Sequence, residues 1–133
     1  MIDAITTALS GLLASTNKAA AASGNIANAN TTGSLADNAA KKPYTPVDSV
    51  QSSSAGGGVS TTIVNRTPPF VPAYDPSSPF ADEGEIIGSP NIRLEEEVVT
   101  LKQAELSYKA NLKVLQTASD MQDELIDSIN TKA

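Results

Sequence analysis

Carboxylates are the residues of this chain whose types and spacing come closest to supporting chemistry. Glutamates occupy positions 95, 96 and 97, and a second acidic group lies within residues 82–85. Clustered carboxylates can hold divalent cations or exchange protons. However, the first run also suits the first turn of a helix, where the helix dipole favours anions, and the second lacks EF-hand spacing. We therefore expect a helix start and a solvated loop, with no metal, cofactor or catalytic site.

The composition excludes several classes of function. The sequence has no histidine and no cysteine, so it can form no Ser-His-Asp triad, no thiol nucleophile and no zinc site with His or Cys ligands. The net charge of −6 argues against binding to nucleic acid, which needs clustered cations. No run approaches the roughly 20 apolar residues of a membrane span. We expect a protein that is not an enzyme.

Residues 1–30 are predicted to form an amphipathic N-terminal helix. Apolar or small residues recur at alternating spacings of three and four, the pattern of a heptad seam. The seam consists of Ile2, Ile5, Leu9, Leu12, Thr16, Ala19, Ser23 and Ile26. Only Asp3 and Lys18 are charged in this segment, whereas a solitary solvated helix usually carries charge on its outer side. We therefore expect several neighbours to cover this helix.

Residues 31–90 are predicted to form a β-hairpin followed by a Pro-rich linker. The β-prone runs 45–50 and 59–65 flank a Ser- and Gly-rich run over 52–58, which is typical of a flexible surface loop. Five prolines between residues 68 and 79 impose extended or turn structure. We expect Phe70, Tyr74 and Phe80 to act as anchors between these prolines.

Residues 91–133 are predicted to form a second long helix. Its apolar residues are Leu94, Val98, Leu101, Tyr108, Leu112 and Leu115, followed by a one-position slip of the seam to Ala118, Met121 and Leu125. A slip of this kind bends or overwinds a coiled coil. We interpret Tyr108 as a core residue with a hydrogen-bonded hydroxyl. For Val98, Leu101, Leu112 and Leu115, an intrachain core and a subunit interface remain equally open.

These elements predict a mainly α fold with a small β part, forming one structural unit. Two long terminal helices pair as a coiled coil, antiparallel or tilted, and a short β-hairpin and a Pro-rich extended segment join them. The under-charged outer side of the first helix is typical of a surface that other subunits cover.

Three segments carry a resemblance to a known family. Residues 27–33 read Ala-Asn-Ala-Asn-Thr-Thr-Gly, which resembles the N-terminal signature of bacterial flagellar rod and hook proteins. The segment Tyr-Asp-Pro-Ser-Ser-Pro-Phe-Ala-Asp over 74–82 is similar to one found in the proximal-rod members of this axial protein family. Ser-Tyr-Lys-Ala-Asn-Leu over 107–112 resembles their C-terminal helix. About ten residues, from Ser34 to Lys42, depart from the pattern that usually follows the first signature.

The resemblance implies a structural subunit of the cell-proximal rod, the drive shaft in the periplasm. It implies partners among other rod proteins and copies of the same chain in a helical tubular assembly. It also implies contact with the flagellar type III export apparatus, and export without a cleaved signal peptide agrees with a start that lacks a basic region. Catalysis, cofactor and metal are not implied.

Three alternatives stay open. One is a sibling rod or hook axial protein. Another is an exported coiled-coil interaction or adaptor protein of a type III secretion system. The weakest is a periplasmic wall-cutting enzyme, because two helices and a hairpin offer no cleft for paired carboxylates. The residues expected at a subunit interface lie on the helix seams or at the end of the first helix: Ile2, Ile5, Leu9, Leu12, Thr16, Ala19, Ile26, Asn28, Asn30, Val98, Leu101, Tyr108, Leu112 and Leu115.

Overall fold

Two long helices and two short β-hairpins make up the fold. A computed structural model describes residues 2–36 and 38–130. The elements in chain order are α1 (Ile2–Ala27), β1 (Val47–Ser53), β2 (Val59–Asn65), β3 (Phe70–Tyr74), β4 (Ile86–Pro90) and α2 (Leu94–Asn130). The prediction of a mainly α protein with a small β part is confirmed. Within the described residues, neither helix is long and apolar enough to cross a membrane. The side chain of Ile2 lies outside the described residues.

The helices α1 and α2 pack against each other in antiparallel directions. Lys18 Nζ lies 3.4 Å from Gln103 Oε1, while nearer the end of α1 Asn25 Nδ2 donates to Glu97 Oε1 at 3.1 Å. At the other end, a Cβ atom on Gly11 would lie 2.6 Å from Asn111 Oδ1. The absence of a side chain at Gly11 therefore lets the two backbones approach closely.

Small residues, rather than the large apolar ones, form most of the contact between the helices. One row of buried residues on each helix is spaced by seven positions or twice seven, as expected for the facing sides of two packed helices. The rows are Ala8, Ser15 and Ala22 on α1, and Glu97, Ala104 and Ala118 on α2. The predicted one-position slip at Ala118 is wrong, because this residue continues the row of Glu97 and Ala104. Val98 and Leu112, at 50% and 39% exposure, lie off that row.

The first hairpin forms with the predicted strand β2 and lies along α1. Its antiparallel register runs from the pair Val47 and Asn65 to the pair Ser53 and Val59. The Val59 amide donates to Ser10 Oγ at 3.1 Å, which fixes the tip of the hairpin near the start of α1. The prediction of a flexible loop over 52–58 is wrong in extent, because β1 continues through Ser53 and the tip rests on a helix.

A second hairpin, which was not predicted, occupies part of the Pro-rich segment. Strand β3 pairs with β4, and the Gly33 amide donates to the Gly88 carbonyl at 3.1 Å, which ties the turn after α1 to this hairpin. Phe80 is half-buried under Lys41, whose Nζ lies 4.7 Å from the ring centre. Tyr74 is 71% exposed, so the prediction that it anchors this region is wrong. Its hydroxyl donates to Glu85 at the surface.

Candidate functional site

Within the part of the chain that the structure describes, one face of the helix pair is covered by no other element. The first hairpin lies along one side of α1, where Asn25 and Ser10 hold it, and α2 lies along the next side. The side that remains carries Leu9, which is 49% exposed, and Leu13, which is 60% exposed. We call this surface the free face, and define it by Ile5, Leu9, Leu13, Thr16 and Ala19 of α1 together with Leu101, Tyr108 and Leu112 of α2.

A groove of about 360 Å³ runs between the helices on the free face. Its floor contains the small residues Ser15, Ala19 and Ala104, which leave space that larger side chains would fill. Tyr108, at 42% exposure, forms part of its wall. Charge is absent from the α1 side, because Asp3 and Lys18 do not belong to the seam of Leu9 and Thr16. The groove is therefore an apolar depression suited to a helix or a large side chain.

The predicted interface residues of α1 and α2 fall into three groups by exposure. Leu12 is buried, at 9% exposure. The exposed members are Leu9, Thr16, Val98, Tyr108 and Leu112, and the half-buried members are Ile5, Ala19, Ile26, Leu101 and Leu115. The interpretation of Tyr108 as a core residue is wrong, because the face on which it lies is open. Exposure of several bulky members leaves them accessible to other subunits.

The two predicted asparagines lie away from the groove, at the end of α1. Asn28 Nδ2 donates to the Gly24 carbonyl at 2.9 Å, and Asn28 Oδ1 accepts from the Thr31 hydroxyl at 3.3 Å. Asn28 is therefore engaged in closing the last turn of its own helix. Asn30 is exposed in the turn that follows.

Two charged residues, Glu105 and Lys109, border the groove and pair with each other. Glu105 accepts from Lys109 Nζ at 2.7 Å and from Lys102 Nζ at 2.9 Å. The hydrogen bonds from Lys109 and Lys102, in that order of importance, lower the pKa of Glu105 to about 2. The carboxylate is therefore ionised throughout the physiological range, and it borders the groove as half of a surface ion-pair network.

A buried asparagine, missed in the sequence, joins the helix pair to the first hairpin. Asn25 is 0% exposed, and its side-chain amide uses all of its hydrogen-bonding capacity. Nδ2 donates to the Val47 carbonyl at 2.9 Å and to Glu97 Oε1 at 3.1 Å. Oδ1 accepts from the Val47 amide at 3.0 Å and from the Tyr44 hydroxyl at 3.3 Å. The Asn25 side chain thus makes the two hydrogen bonds to the Val47 backbone that a neighbouring strand would otherwise make at the start of β1.

Arg66 continues this polar cluster from the end of β2. Its guanidinium contacts Asp48 at 2.5 Å and Glu97 at 2.7 Å, and it donates to the Asn91 carbonyl at 2.9 Å. The hydrogen bond with Asp48 and the weaker one with Glu97 raise the pKa of Arg66, although burial opposes them. One signal was visible in the sequence, since Arg66 is the only cation between Lys42 and Arg93.

Neither acidic group forms a metal site among the residues that the structure describes. Among residues 2–36 and 38–130, no three His, Cys, Asp or Glu side chains are arranged to hold a metal ion. Glu97 turns inward to Arg66, and Glu96 pairs with Arg93 at 2.8 Å. A cavity of about 180 Å³ beside Arg66 contains both Lys18 and Asp48 in its lining, so its charges are largely balanced. The cluster acts as a connection between elements.

Comparison with known proteins finds relatives among flagellar rod proteins, and the matched family model covers most of α2. Residues 86–128 match the family described as flagellar basal body rod FlgEFG protein, C-terminal. The flagellar basal-body rod protein FlgC of Salmonella typhimurium is 30% identical over 82 residues, which are 62% of this chain and 61% of that protein. The chain therefore spans about three fifths of the length of the Salmonella relative.

Other relatives carry the same description. The FlgC protein of Agrobacterium fabrum is 36% identical over 58 residues, which are 44% of this chain and 42% of that protein. The FlgC protein of Buchnera aphidicola from Acyrthosiphon pisum is 30% identical over 116 residues, which are 84% of this chain and 85% of that protein. This last match extends over most of both chains, so the chain belongs to the family of flagellar basal-body rod proteins FlgC.

Proposed function

We propose that this chain is a structural subunit of the proximal rod of the bacterial flagellar basal body, and that it polymerises through its terminal helices. The observation that carries the proposal is the free face, which is uncharged on α1 and exposes Leu9 beside an apolar groove. Membership of the FlgC family supports it, because the relatives are named as rod proteins. The role is mechanical and involves no catalysis.

Burial of the free face against a neighbouring subunit would be favourable in free energy. Burial of a leucine side chain contributes about 1.5–3 kcal/mol relative to exposure, and Leu9 and Leu13 are 49% and 60% exposed. If the leucines of one copy enter the groove of a second copy whose own leucines enter the groove of a third, the contact is head-to-tail. Contacts of that kind continue into a helical assembly when they do not close a ring. The predicted coiled-coil pairing would then be completed between subunits as well as within one.

The predicted interface residues enter the proposal in two roles. The residues that lie on the free face and contact neighbouring subunits are Ile5, Leu9, Thr16, Ala19, Leu101, Tyr108 and Leu112. Leu12 is buried and supports the helix pair. The remaining seam residues, Ile2, Ile26, Val98 and Leu115, extend the same seams. Asn28 and Asn30 shape the turn after α1 and contact neighbours only through that turn.

The partners follow from the rod assignment. They are other rod proteins and further copies of this chain within a tubular assembly. The chain reaches the periplasmic rod through the flagellar type III export apparatus. A sibling rod or hook protein remains a second candidate, because the family matched by residues 86–128 takes its description from FlgEFG proteins.

The test compares two exposed apolar residues of nearly equal exposure. Leu9 is 49% exposed on the free face, and Ile63 is 48% exposed on the hairpin. We expect Leu9→Asp to fold normally but to disappear from purified basal bodies and to abolish swimming, because the new carboxylate would be buried at the interface. Ile63→Asp should still enter basal bodies. Incorporation of both variants at the wild-type level would disprove the assignment of the interface to the free face.

A further inference from the structure

Two buried hydroxyl groups of the first hairpin have no protein partner among the residues that the structure describes. They are Ser49 Oγ on β1 and Thr61 Oγ1 on β2. A buried hydroxyl without a hydrogen bond costs free energy, because it gives up its bonds to water when the chain folds. Such groups are rare in folded proteins unless an ordered water molecule takes the place of the missing partner.

The two hydroxyl groups differ in the space beside them. Ser49 lines the cavity of about 180 Å³ beside Arg66, whereas Thr61 does not belong to its lining. We call this space the junction cavity, because α1, α2 and the first hairpin all contribute to its wall. Its polar lining residues are Lys18 of α1, Asp48 and Ser49 of β1, Arg66 after β2, and Glu97 and Thr100 of α2.

The junction cavity is large enough and polar enough to hold several water molecules. A water molecule takes about 30 Å³ in the liquid, and a buried one makes about two to four hydrogen bonds. Cavities lined by apolar side chains stay dry, but most residues around the junction cavity carry a polar side chain. The size and the lining therefore both favour hydration.

A buried carboxylate at the junction cavity has hydrogen-bonding capacity that its protein partners do not use. Glu97 is 4% exposed, and it accepts from Asn25 Nδ2 at 3.1 Å and from Arg66 Nη2 at 2.7 Å. Both of these bonds end on Oε1, so Oε2 receives neither of them. Since each carboxylate oxygen accepts about two hydrogen bonds, Glu97 favours an occupant that can donate.

The charges around the junction cavity favour a neutral occupant. Lys18 and Arg66 are cationic, and Asp48 and Glu97 are anionic, so the four charges sum to zero. A chloride ion cannot donate to Glu97, and a metal ion cannot accept from Lys18. Water does both, and the Ser49 hydroxyl can bond to it as donor or as acceptor.

We propose that the junction cavity is a binding site for a cluster of water molecules, which connects Ser49 of the hairpin with the buried pair of Arg66 and Glu97. This water is part of the structure, because it bonds to groups that the protein leaves unpaired. It also reduces the cost of removing the ion pair from bulk solvent, since buried ion pairs need partners for their remaining donors and acceptors. The cluster belongs to the single chain and does not depend on the rod assignment.

A comparison of threonine with valine at two positions tests the hydration of Ser49. The two side chains have nearly the same shape and differ by a hydroxyl against a methyl group, so their steric effects cancel. We expect the unfolding equilibrium constant of Ser49→Val to be about fivefold higher than that of Ser49→Thr, because valine cannot bond to the water. At position 61 the order reverses, and Thr61→Val should be more stable than the wild type, because it removes an unpaired hydroxyl.

Urea unfolding of the isolated full chain measures both differences, and far-ultraviolet circular dichroism verifies that each variant keeps its helices. If Ser49→Val is as stable as Ser49→Thr, or more stable, the junction cavity is dry at Ser49 and the proposal is wrong. If Thr61→Val loses as much stability as valine loses at position 49, any hydroxyl of the hairpin has this effect, and the assignment of water to the junction cavity is equally wrong.

Magnetic relaxation dispersion of water oxygen-17 detects the bound molecules directly. The wild type should show a contribution from long-lived water that is smaller in Ser49→Val and unchanged in Thr61→Val. An equal contribution from the wild type and Ser49→Val would overturn the proposal. Inorganic phosphate is the probe for a competing occupant: we expect no saturable shift of the Ser49 and Arg66 amide signals in NMR spectra, and such a shift would identify an anion site instead.

Discussion

Replacement of Asn25 by alanine tests whether a single buried amide holds the first hairpin against the helices. The substitution removes two hydrogen bonds to Val47, one to Glu97 and one to the Tyr44 hydroxyl. A buried polar group left without a partner costs about 1–3 kcal/mol. Three groups would each lose a hydrogen-bond partner: the Val47 amide, the Val47 carbonyl and the Glu97 carboxylate. Asn25 is 0% exposed, so water does not replace these bonds without a rearrangement.

The expected loss is large relative to the stability of a domain of this size. Partial relaxation and water entry reduce the summed penalty to about 3–5 kcal/mol. Alanine is the better helix former by at most about 0.7 kcal/mol, which offsets only a small part. Domains of this kind are stable by about 5–15 kcal/mol, so Asn25→Ala should be folded but markedly weakened.

Urea unfolding followed by far-ultraviolet circular dichroism measures the effect on the isolated protein. Asn30→Ala is the matched control, because Asn30 is exposed in the turn after the same helix and should change stability by less than about 0.5 kcal/mol. A second variant, Asn25→Asp, should be at least as damaging as Asn25→Ala, since it places a carboxylate beside Glu97. A loss below about 1 kcal/mol for Asn25→Ala would refute the reasoning, because a fully bonded buried amide cannot be replaced so cheaply.

Two further predictions concern the ion pairs. Arg66→Gln should destabilise the protein by about 3 kcal/mol, since it leaves Glu97 buried without its cation. In a Glu97→Gln background, the same substitution should cost clearly less stability. If Arg66→Gln causes the same loss in both backgrounds, the pairing of Arg66 with Glu97 is contradicted. Glu105 has a lowered folded-state pKa, so its stabilising effect is present above pH 4.5 and is lost as the pH falls towards 2. Glu105→Gln should therefore be less stable than the wild type at pH 6 and equally stable near pH 2 in the same unfolding assay; a gap that persists near pH 2 would exclude this cause.

Local features of the sequence were sufficient for the elements themselves. Frequent alanine, a heptad spacing and the acidic turn near Glu95 predict two long helices, and the alternation over Val59–Asn65 predicts strand β2. These signals succeed because helix dipoles, turn residues and periodic hydrophobicity act over a few residues. The lack of histidine and cysteine likewise restricts the chemistry without any knowledge of the fold.

The pairing of faces was decided only by the tertiary structure. Hydropathy draws attention to large side chains such as Leu9 and Val98. The helices instead meet through Ala22 and Ala104, which occupy heptad positions one residue before those of Leu9 and Val98. Small residues permit close approach of the two backbones. The dispersion energy of that contact exists only when the partner helix is in place, so the sequence of one helix does not predict it. The large residues remain on the free face, where a single chain cannot cover them.

The polar cluster depended on the tertiary structure for the same reason. Nothing local marks Asn25, Arg66 and Glu97 as partners, since long stretches of chain separate them and each residue type is usually exposed. Their burial is favourable only because the fold brings complementary donors and acceptors within hydrogen-bond distance. The sequence by itself therefore determined which segments are helices and which strand forms, whereas three-dimensional packing decided which sides are buried and which side remains for other subunits.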